Sequence, residues 1–288
     1  MCKIYTVNSV SGGKTSSYIA ANYKADYNVF SLVRTNDPSC MFPDPKLRQM
    51  VSDKLGGIEF IGTLEDDMII YTMFDLEQFI GQEIQWVTGK TFDEIIDHGN
   101  GKKYLPNLFH RFCTSELKLR PLFNWWRKNF TDPVEMRIGY RANEINRAIK
   151  MKGRMNENGI ITMETIIGKR GNRNKWGRIE WEIPSFPLID DNIFKDHIEE
   201  YWKDKPVRFA YMNNCIGCFH RNEMLLKLMS IKFPEKFDWF VRQETNTYTR
   251  KPMTFKSGIT YDKIRKFPLA TSLDFDDFNE CDSGYCGL

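Results

Sequence analysis

Short apolar runs alternate with amphipathic stretches along the first part of the chain. Apolar and β-branched residues predict buried strands at 3–8, 27–34 and 58–62, and the stretches 15–24 and 45–55 between them predict helices. Strands and helices that alternate at this spacing are typical of a parallel sheet whose strands are joined by crossover helices. We therefore predict an α/β fold with a doubly wound, mostly parallel sheet.

The pattern changes after residue 65. Two amphipathic segments, 75–87 and 91–99, predict a helical insertion over about 65–107 at one edge of the sheet. Further elements are predicted as helices at 114–129, 142–151, 192–203 and 222–232, a strand at 134–139, and a loop or hairpin at 153–181. We expect the chain to divide into a sheet-bearing core, 1–152, and a smaller cysteine-bearing C-terminal region, 153–288.

The composition excludes several classes of protein. Of the 288 residues, 41% are hydrophobic and 14% are aromatic, which excludes a wholly disordered chain. The 41 Lys and Arg against 38 Asp and Glu give a net charge of +3, too small to predict nucleic-acid binding without a local basic cluster. No apolar run is long enough for a membrane span, and the N-terminal run is too short for a signal peptide. We expect a cytoplasmic protein with no membrane partner.

A glycine- and serine-rich turn lies between the first predicted strand and the first predicted helix. Glycines let backbone amides approach an anion, a helix N-terminus adds partial positive charge, and Lys14 adds a full charge. A Walker A loop is disfavoured because Asn8 stands where that motif needs glycine. The turn resembles the SGGKxS loop of the PP-loop superfamily, the adenine nucleotide α-hydrolase-like proteins. The residues assigned to nucleotide binding here are Ser9, Ser11, Gly12, Gly13, Lys14, Thr15 and Ser16.

Three later segments of the chain narrow the resemblance from the superfamily to one of its families. Residues 111–121, Arg-Phe-Cys-Thr-Ser-Glu-Leu-Lys-Leu-Arg-Pro, are similar to a segment of the phosphoadenosine phosphosulfate (PAPS) reductase family. Residues 139–148, with Gly139, Arg141, Glu144 and Arg147, resemble that family's G-x-R-x-x-E-x-x-R turn, and Cys215-Ile-Gly-Cys218 resembles its downstream C-x-x-C. The order along the chain agrees, and the resemblance covers most of 3–232.

Cations near the predicted strand ends suit a polyanionic nucleotide. Arginine forks bind phosphate or sulfate oxygens well, and a glycine at a strand end lets a ligand approach closely. Asn36 follows the second strand, where the resemblance implies contact with the base or the ribose. The further nucleotide-binding candidates are Arg111, Lys118, Gly139, Arg141 and Arg147.

The seven cysteines are an odd number, which favours metal ligation or redox chemistry over a disulfide framework. Cys215 and Cys218 form a chelating pair, Cys113 is the natural third ligand, and the fourth is Cys281 or Cys286. The iron–sulfur branch of the family implies a [4Fe-4S] cluster here, although Phe112 stands where that branch has another cysteine. A zinc site, a redox-active pair and a disulfide in the tail remain alternatives.

The last residues have a second interpretation. Sulfonucleotide reductases of the resembled family carry a nucleophilic cysteine in a C-terminal Glu-Cys-Gly-Leu-His. This chain has the two halves of that motif around Cys281 and Cys286 and lacks the histidine. Either cysteine is therefore a candidate nucleophile, cluster ligand or sulfur-delivering thiol.

The resemblance implies two branches of chemistry. One cleaves ATP to AMP and pyrophosphate with Mg²⁺, adenylates a substrate and often transfers sulfur. The other reduces PAPS or its adenylyl sulfate relative through a cysteine. The intact Gly12-Gly13-Lys14 favours ATP and gives Lys14 a catalytic role, whereas Thr15 stands where ATP-cleaving members usually have Asp. A non-catalytic nucleotide-binding or assembly protein is the alternative of another class.

The sequence suggests partners only in outline. An adenine nucleotide is expected, together with a nucleic acid or a thiol or sulfur-donor protein. The basic stretch 169–178 would suit a phosphate backbone, and a solvated loop is the simpler interpretation of it. The oligomeric state is not indicated by any pattern in the chain.

Overall fold

A six-stranded sheet with the order β3-β2-β1-β4-β6-β5 organises the molecule. The computed structural model describes residues 3–97, 99, 103–245 and 253–268. All neighbouring strands are parallel except β5 and β6, which form an antiparallel hairpin. The strands are β1 (Thr6–Val10), β2 (Tyr27–Ser31), β3 (Ile84–Val87), β4 (Val134–Arg137), β5 (Ile161–Arg170) and β6 (Arg173–Ser185).

Helices connect the strands and continue after the sheet. They are α1 (Lys14–Asn22), α2 (Pro45–Lys54), α3 (Met68–Ile80), α4 (Phe92–Ile96), α5 (Phe112–Thr114), α6 (Arg120–Asn129), α7 (Ile145–Lys152), α8 (Pro187–Asp190), α9 (Lys195–Trp202), α10 (Glu223–Lys232), α11 (Pro234–Thr245) and α12 (Tyr261–Arg265). A π-helical turn, Ser115–Leu119, joins α5 to α6. Within the described residues, no helix is long and apolar enough to cross a membrane.

Both faces of the parallel part of the sheet are buried. Successive residues of β2 show this, because Val29 packs in a core with Phe123 and Trp126 of α6, whereas Phe30 packs on the other face with Ile19 of α1. A strand covered on both faces can carry consecutive buried apolar residues, as β2 does at Val29 and Phe30. The predicted α/β class with a mostly parallel sheet is therefore confirmed, and the arrangement is compatible with a Rossmann-like fold.

A third core lies beyond the carboxyl end of β2. There α4 packs against α11, with the rings of Phe92 and Trp239 meeting edge to face at 5.1 Å. Val33, just after β2, and Leu117 of the π-helical turn belong to the same core, together with residues of α10 and α12. The C-terminal helices thus cover one end of the sheet rather than forming a remote unit.

The expected third strand at 58–62 is wrong. Gly62 makes only isolated bridges to Thr35 and Met41, and the Cys40 carbonyl lies so close to Gly62 that a Cβ there would clash with it at 1.9 Å. The third strand is instead β3, where Ile84 and Trp86 alternate inward.

The expected helix at 75–87 is correct only as far as Ile80, where α3 ends, and the expectation of a purely helical insertion at 65–107 is wrong because β3 follows at Ile84–Val87. Gly81, with φ of 62°, ends α3 in the left-handed region, so the chain can turn directly into β3. The stretch therefore supplies an edge strand of the sheet as well as helices. The basic stretch inside 153–181 forms a hairpin, the second of the two predicted possibilities.

Candidate functional site

The glycine-rich turn lies at the carboxyl end of β1 and leads into α1. Gly12 has φ of 82°, a conformation that side chains disfavour, and a Cβ there would come within 2.6 Å of the Ile69 side chain. Gly13 precedes the first turn of α1 in an extended conformation, and within the described residues no side chain caps this helix. The first-turn amides of α1 therefore present the partial positive charge that attracts anions.

Serine hydroxyls fix the shape of this phosphate loop, residues 11–16. The Ser16 hydroxyl donates to the Gly13 carbonyl at 3.1 Å and accepts from the Ser11 amide at 3.0 Å. Thr15 is 1% exposed, and its hydroxyl has no hydrogen-bond partner within the described part of the chain. The loop is thus held by its own side chains, while Thr15 points into the protein.

Lys14 meets a carboxylate from a distant helix. Its ammonium forms an ion pair with Glu199 of α9, and both side chains are about one-third exposed. The Trp202 indole donates to the Lys14 carbonyl at 2.9 Å, which fixes α9 against the loop. A carboxylate therefore contacts the charge that the sequence assigned to a phosphate.

The loop lies beside the point where the strand order of the sheet reverses. β1 is paired with β2 on one side and β4 on the other, and the connections leave in opposite directions from there. Gly139, just after β4, would place a Cβ 3.4 Å from Thr15 and 3.5 Å from the Ser16 amide nitrogen. Open α/β sheets bind ligands in the crevice at such a point, outside the carboxyl ends of the strands.

Two of the predicted arginines share one carboxylate next to Gly139. Glu144 accepts from Arg141 at 3.1 Å and forms an ion pair with Arg147. The Arg147 guanidinium also lies over the Tyr140 ring, 4.4 Å from its centroid. Arg141 is only 8% exposed, so this cluster is a built feature of the strand end rather than a set of loose surface charges.

Three predicted ligands, Cys113, Cys215 and Cys218, line one cavity with Lys118 and His220. The Cys218 amide donates to the Cys215 carbonyl at 3.0 Å, which closes the C-x-x-C turn. Segments about 100 residues apart therefore converge as the sequence predicted.

Side chains from other parts of the chain hold the turn that carries Cys215 and Cys218. Arg221 donates to the Cys215 carbonyl at 3.2 Å, and the Tyr261 hydroxyl donates to the Gly217 carbonyl at 2.9 Å. Gly217 is required because a Cβ there would lie 2.4 Å from the Phe240 ring. The two thiols are thus held on a rigid turn.

Burial favours the neutral thiol at two of the three cysteines that line the cavity. Burial raises the pKa of Cys113 to about 12, with the neighbouring Cys218 adding to the effect. Burial also raises the pKa of Cys215 well above its ordinary value, and the Glu65 carboxylate adds to this. Reactive thiols have lowered pKa values, so neither group is activated as a nucleophile as it stands.

Metal ligation needs more than the described thiols. Within the described residues, no group of three or more His, Cys, Asp or Glu side chains is arranged to hold a metal ion. Cys281 and Cys286, expected as a fourth ligand or a nucleophile, lie outside the described residues. The donor type still fits a thiophilic metal, because three thiols from two segments share one cavity.

One short segment contacts both parts of the site. Ile69 lies against Gly12 of the phosphate loop, and the Leu64 carbonyl accepts from the Ile216 amide at 2.8 Å between the two cysteines. Between them, the buried Glu65 carboxylate pairs with Lys118 at 3.0 Å. Residues 64–69, which we name the bridge segment, therefore connect the phosphate loop to the thiol cavity.

The remaining predicted residues lie around these two centres. Ser9 lies inside β1, where it is paired with Val29 of β2. Asn36 is exposed beyond the carboxyl end of β2, and its amide donates to Asp93 at 2.9 Å. Arg111 directly precedes α5, and burial together with the charge of Arg111 lowers the pKa of His220, a residue that lines the thiol cavity.

Several residues of the site carried no usable signal in the sequence. Glu199 and Lys236 come from distant helices, and Lys236 holds the bridge segment by donating to the Glu65 carbonyl at 2.7 Å. Glu65 was assigned to the start of an insertion. Glu144 belongs to the G-x-R-x-x-E-x-x-R turn, together with both arginines. Its role as their shared partner is therefore the one that the sequence could have revealed.

Comparison with known proteins adds no family assignment. The chain matches no protein-family model, and neither the characterised proteins nor the solved structures contain a significant match to it. The geometry of the described residues is therefore the basis for a functional assignment.

Proposed function

We propose that this protein binds an adenine nucleotide at the phosphate loop and is an ATP-using enzyme of the PP-loop type. The observation that carries the proposal is the position of residues 11–16. A glycine with positive φ, a helix N-terminus that no described side chain caps, and a lysine lie together at the switch point of a mostly parallel sheet. The resemblance to the SGGKxS loop supports the same nucleotide class.

The expected reaction is cleavage of ATP to AMP and pyrophosphate with adenylation of a second substrate. Lys14 and the first amides of α1 would bind the phosphates, and Lys14 would stabilise the charge that develops on the departing pyrophosphate. Mg²⁺ bound with the nucleotide would offset the same charge. Arg141 and Arg147, held by Glu144 at the end of β4, are the further cations available to the polyphosphate.

The thiol cavity supports sulfur chemistry as the second part of this function. We propose that Cys113, Cys215 and Cys218 hold a [4Fe-4S] cluster, completed by Cys286 or Cys281, with zinc as the alternative metal. Such a cluster would supply a site that binds or delivers sulfur. The bridge segment connects this cavity to the phosphate loop, which suits a single reaction centre.

Thr15 favours a second candidate, nucleotide binding without cleavage. Its side chain is buried and its hydroxyl has no partner within the described residues, so it does not replace a carboxylate exposed to the nucleotide. The protein would then act as a nucleotide sensor or an assembly subunit. Product analysis separates the two candidates.

The proposal is tested by calorimetric titration of ATP and of PAPS into the protein and into Lys14→Ala. We expect ATP to bind, and Lys14→Ala to weaken its binding by at least about tenfold because a charge-assisted contact to phosphate is lost. Lys24→Ala is the matched control, because Lys24 is exposed just beyond the end of α1. Equal ATP affinity in Lys14→Ala and wild-type protein would contradict the proposal.

The bound nucleotide is then followed by chromatography in the presence of Mg²⁺. AMP and pyrophosphate indicate the adenylating reaction, and intact ATP that stays bound indicates the sensor. Release of sulfite from PAPS with a thiol donor would assign the protein to the sulfonucleotide reductases instead.

A further inference from the structure

The β5–β6 hairpin carries a concentrated positive charge. Residues 166–178, which we name the basic arm, contain no acidic residue. The five cations are all exposed, and within the described part of the chain none of them makes an ion pair; they are Lys169, Arg170, Arg173, Lys175 and Arg178. A charge of +5 on 13 residues contrasts with +3 for the whole chain, so the cluster is local.

The basic arm extends past the sheet. β6 pairs with β4 only from Glu182 to Ser185, and its earlier residues pair with β5 alone. At about 3.4 Å per residue, the five steps from Arg178 to Arg173 span roughly 17 Å. The turn is tight, with Gly171 at φ of 60° as the first of its two residues. The arm is therefore a narrow two-stranded ribbon, and none of the residues that the structure describes covers either of its faces over this length.

The cations lie on both faces of the ribbon. Side chains alternate along a strand, and directly paired residues share a face. Arg170 is paired with Arg173, and Lys175 is two residues further along the same strand, so these three share one face. Lys169 and Arg178 lie on the opposite face.

The face of Lys169 and Arg178 also carries apolar surface. Trp176 is directly paired with Ile166, and these side chains are 58% and 39% exposed. An exposed indole between two cations is suited to apolar contact with base edges in a groove, such as the thymine methyl group.

We propose that the basic arm binds double-stranded DNA by entering the major groove. That groove is about 12 Å wide and about 8.5 Å deep and admits a two-stranded β-ribbon, whose two faces then meet the phosphates on the two walls. Cations on both faces fit this enclosure, whereas a flat anionic membrane would engage one face. The major groove of A-form RNA is too narrow for a ribbon.

The base of the arm is stiffened by contacts that do not use its five cations. Arg120 donates to the Glu164 carbonyl at 2.9 Å, and Arg127 donates to the Ile166 carbonyl at 3.5 Å. Both arginines belong to α6, which packs on the sheet. The ribbon is thus held in a defined direction, and its charges remain available to a partner.

The test measures binding of a fluorescent 20-base-pair DNA duplex by anisotropy between about 50 and 200 mM salt, without nucleotide. We expect the triple variant Arg170→Ala, Arg173→Ala, Lys175→Ala to lose at least about tenfold in affinity. Its salt slope should fall by about 2.7, since each lost phosphate contact contributes about 0.9. Trp176→Ala should weaken binding while leaving the salt slope unchanged.

The matched control removes the same charge elsewhere, with Lys24→Ala, Lys46→Ala and Lys263→Ala, three lysines exposed outside the arm. Its affinity and salt slope should equal those of the wild type, and circular dichroism should show all variants folded. Equal losses in the two triple variants would overturn the proposal, because net charge alone would then explain binding. Equal affinity for double-stranded RNA, or binding to anionic vesicles without binding to DNA, would overturn it as well.

The arm and the phosphate loop are tested independently. DNA binding is measured without nucleotide and is expected to be unchanged in Lys14→Ala. Loss of the nucleotide function would therefore leave this inference standing, and loss of DNA binding would leave the proposed function standing.

Discussion

At the scale of single residues, Gly12 makes the phosphate loop possible. Its φ of 82° lies in the left-handed region, and the Ile69 side chain occupies the space where a Cβ would be. Both constraints act on the same atom, so no other residue fits without moving α3 or the loop. The approach of the loop to an anion therefore depends on this one position.

We predict that Gly12→Ala lowers the free energy of unfolding by roughly 2–4 kcal/mol, combining a backbone cost with the cost of overpacking. ATP affinity should fall as well, because the loop amides are displaced. Gly56→Ala is the control, since Gly56 has φ of 71° and nothing within 4 Å of its Cβ position. Urea denaturation should show only the backbone cost there, about 1–2 kcal/mol. Equal destabilisation in both variants would contradict the role of Ile69.

Residue identity was predictable where the chemistry is local. The motifs that contain Gly12, Lys14 and the C-x-x-C pair can be recognised in the sequence, because their residues lie close together along the chain. The roles of Glu199 in α9 and of Glu65 in the loop before α3 could not be predicted, because no local pattern around an acidic residue reveals a partner far away in the chain. Their roles follow from packing, which a sequence pattern does not encode.

At the scale of elements, α9 packs against the phosphate loop at Lys14. Trp202 fixes the helix to the Lys14 carbonyl, and Glu199 pairs with the Lys14 ammonium. A phosphate that binds Lys14 must replace this carboxylate or approach beside it. The pair is about one-third exposed, so its own contribution to stability is small.

We predict that Glu199→Gln raises the affinity for ATP by about two- to fivefold, because a negative charge next to the phosphates is removed. Calorimetric titration measures the effect. Glu200→Gln, on the exposed next position of α9, should leave the affinity unchanged. An unchanged or lower affinity in Glu199→Gln would show that the carboxylate does not oppose nucleotide binding.

Elements were predictable where the apolar period was clear, as for α1, α2, β2 and α10. The prediction failed between 58 and 87, where Gly81 ends one helix and a four-residue strand follows within three residues. A strand that short looks like a continuation of the amphipathic helix before it. The distinction is made by pairing with β2, which is a long-range contact.

At the scale of the whole molecule, the thiol cavity exists because three distant parts of the chain meet. Cys113 comes from α5, Cys215 and Cys218 come from a turn after the sheet, and the bridge segment, which leads into α3, contacts both parts through Lys118 and Ile216. The third core holds these parts together. A destabilising substitution in that core should therefore disturb the thiol cavity even where the substituted residue contacts no cysteine.

We predict that protein purified without oxygen contains iron and acid-labile sulfide and absorbs light at about 400 nm, as cysteine-ligated clusters do. Cys113→Ser and Cys215→Ser should each lose the metal. Cys40→Ser is the control, because Cys40 is a buried thiol that does not line the cavity. Zinc in place of iron would favour the alternative metal, and metal-free wild-type protein would contradict both.

The hairpin has a consequence for how copies of the molecule behave toward each other. β5 is the outermost strand of the sheet, and among the described residues no strand pairs with its outer edge, although Arg120 and Arg127 occupy two of its carbonyls near the base. Natural proteins discourage pairing between such edges with lysines, twists and irregular pairing. Here the pairing shifts between Ile166 and Gly168, and two such edges would bring like charges together. Repulsion between like charges therefore opposes edge-to-edge pairing of two copies along the charged part of β5.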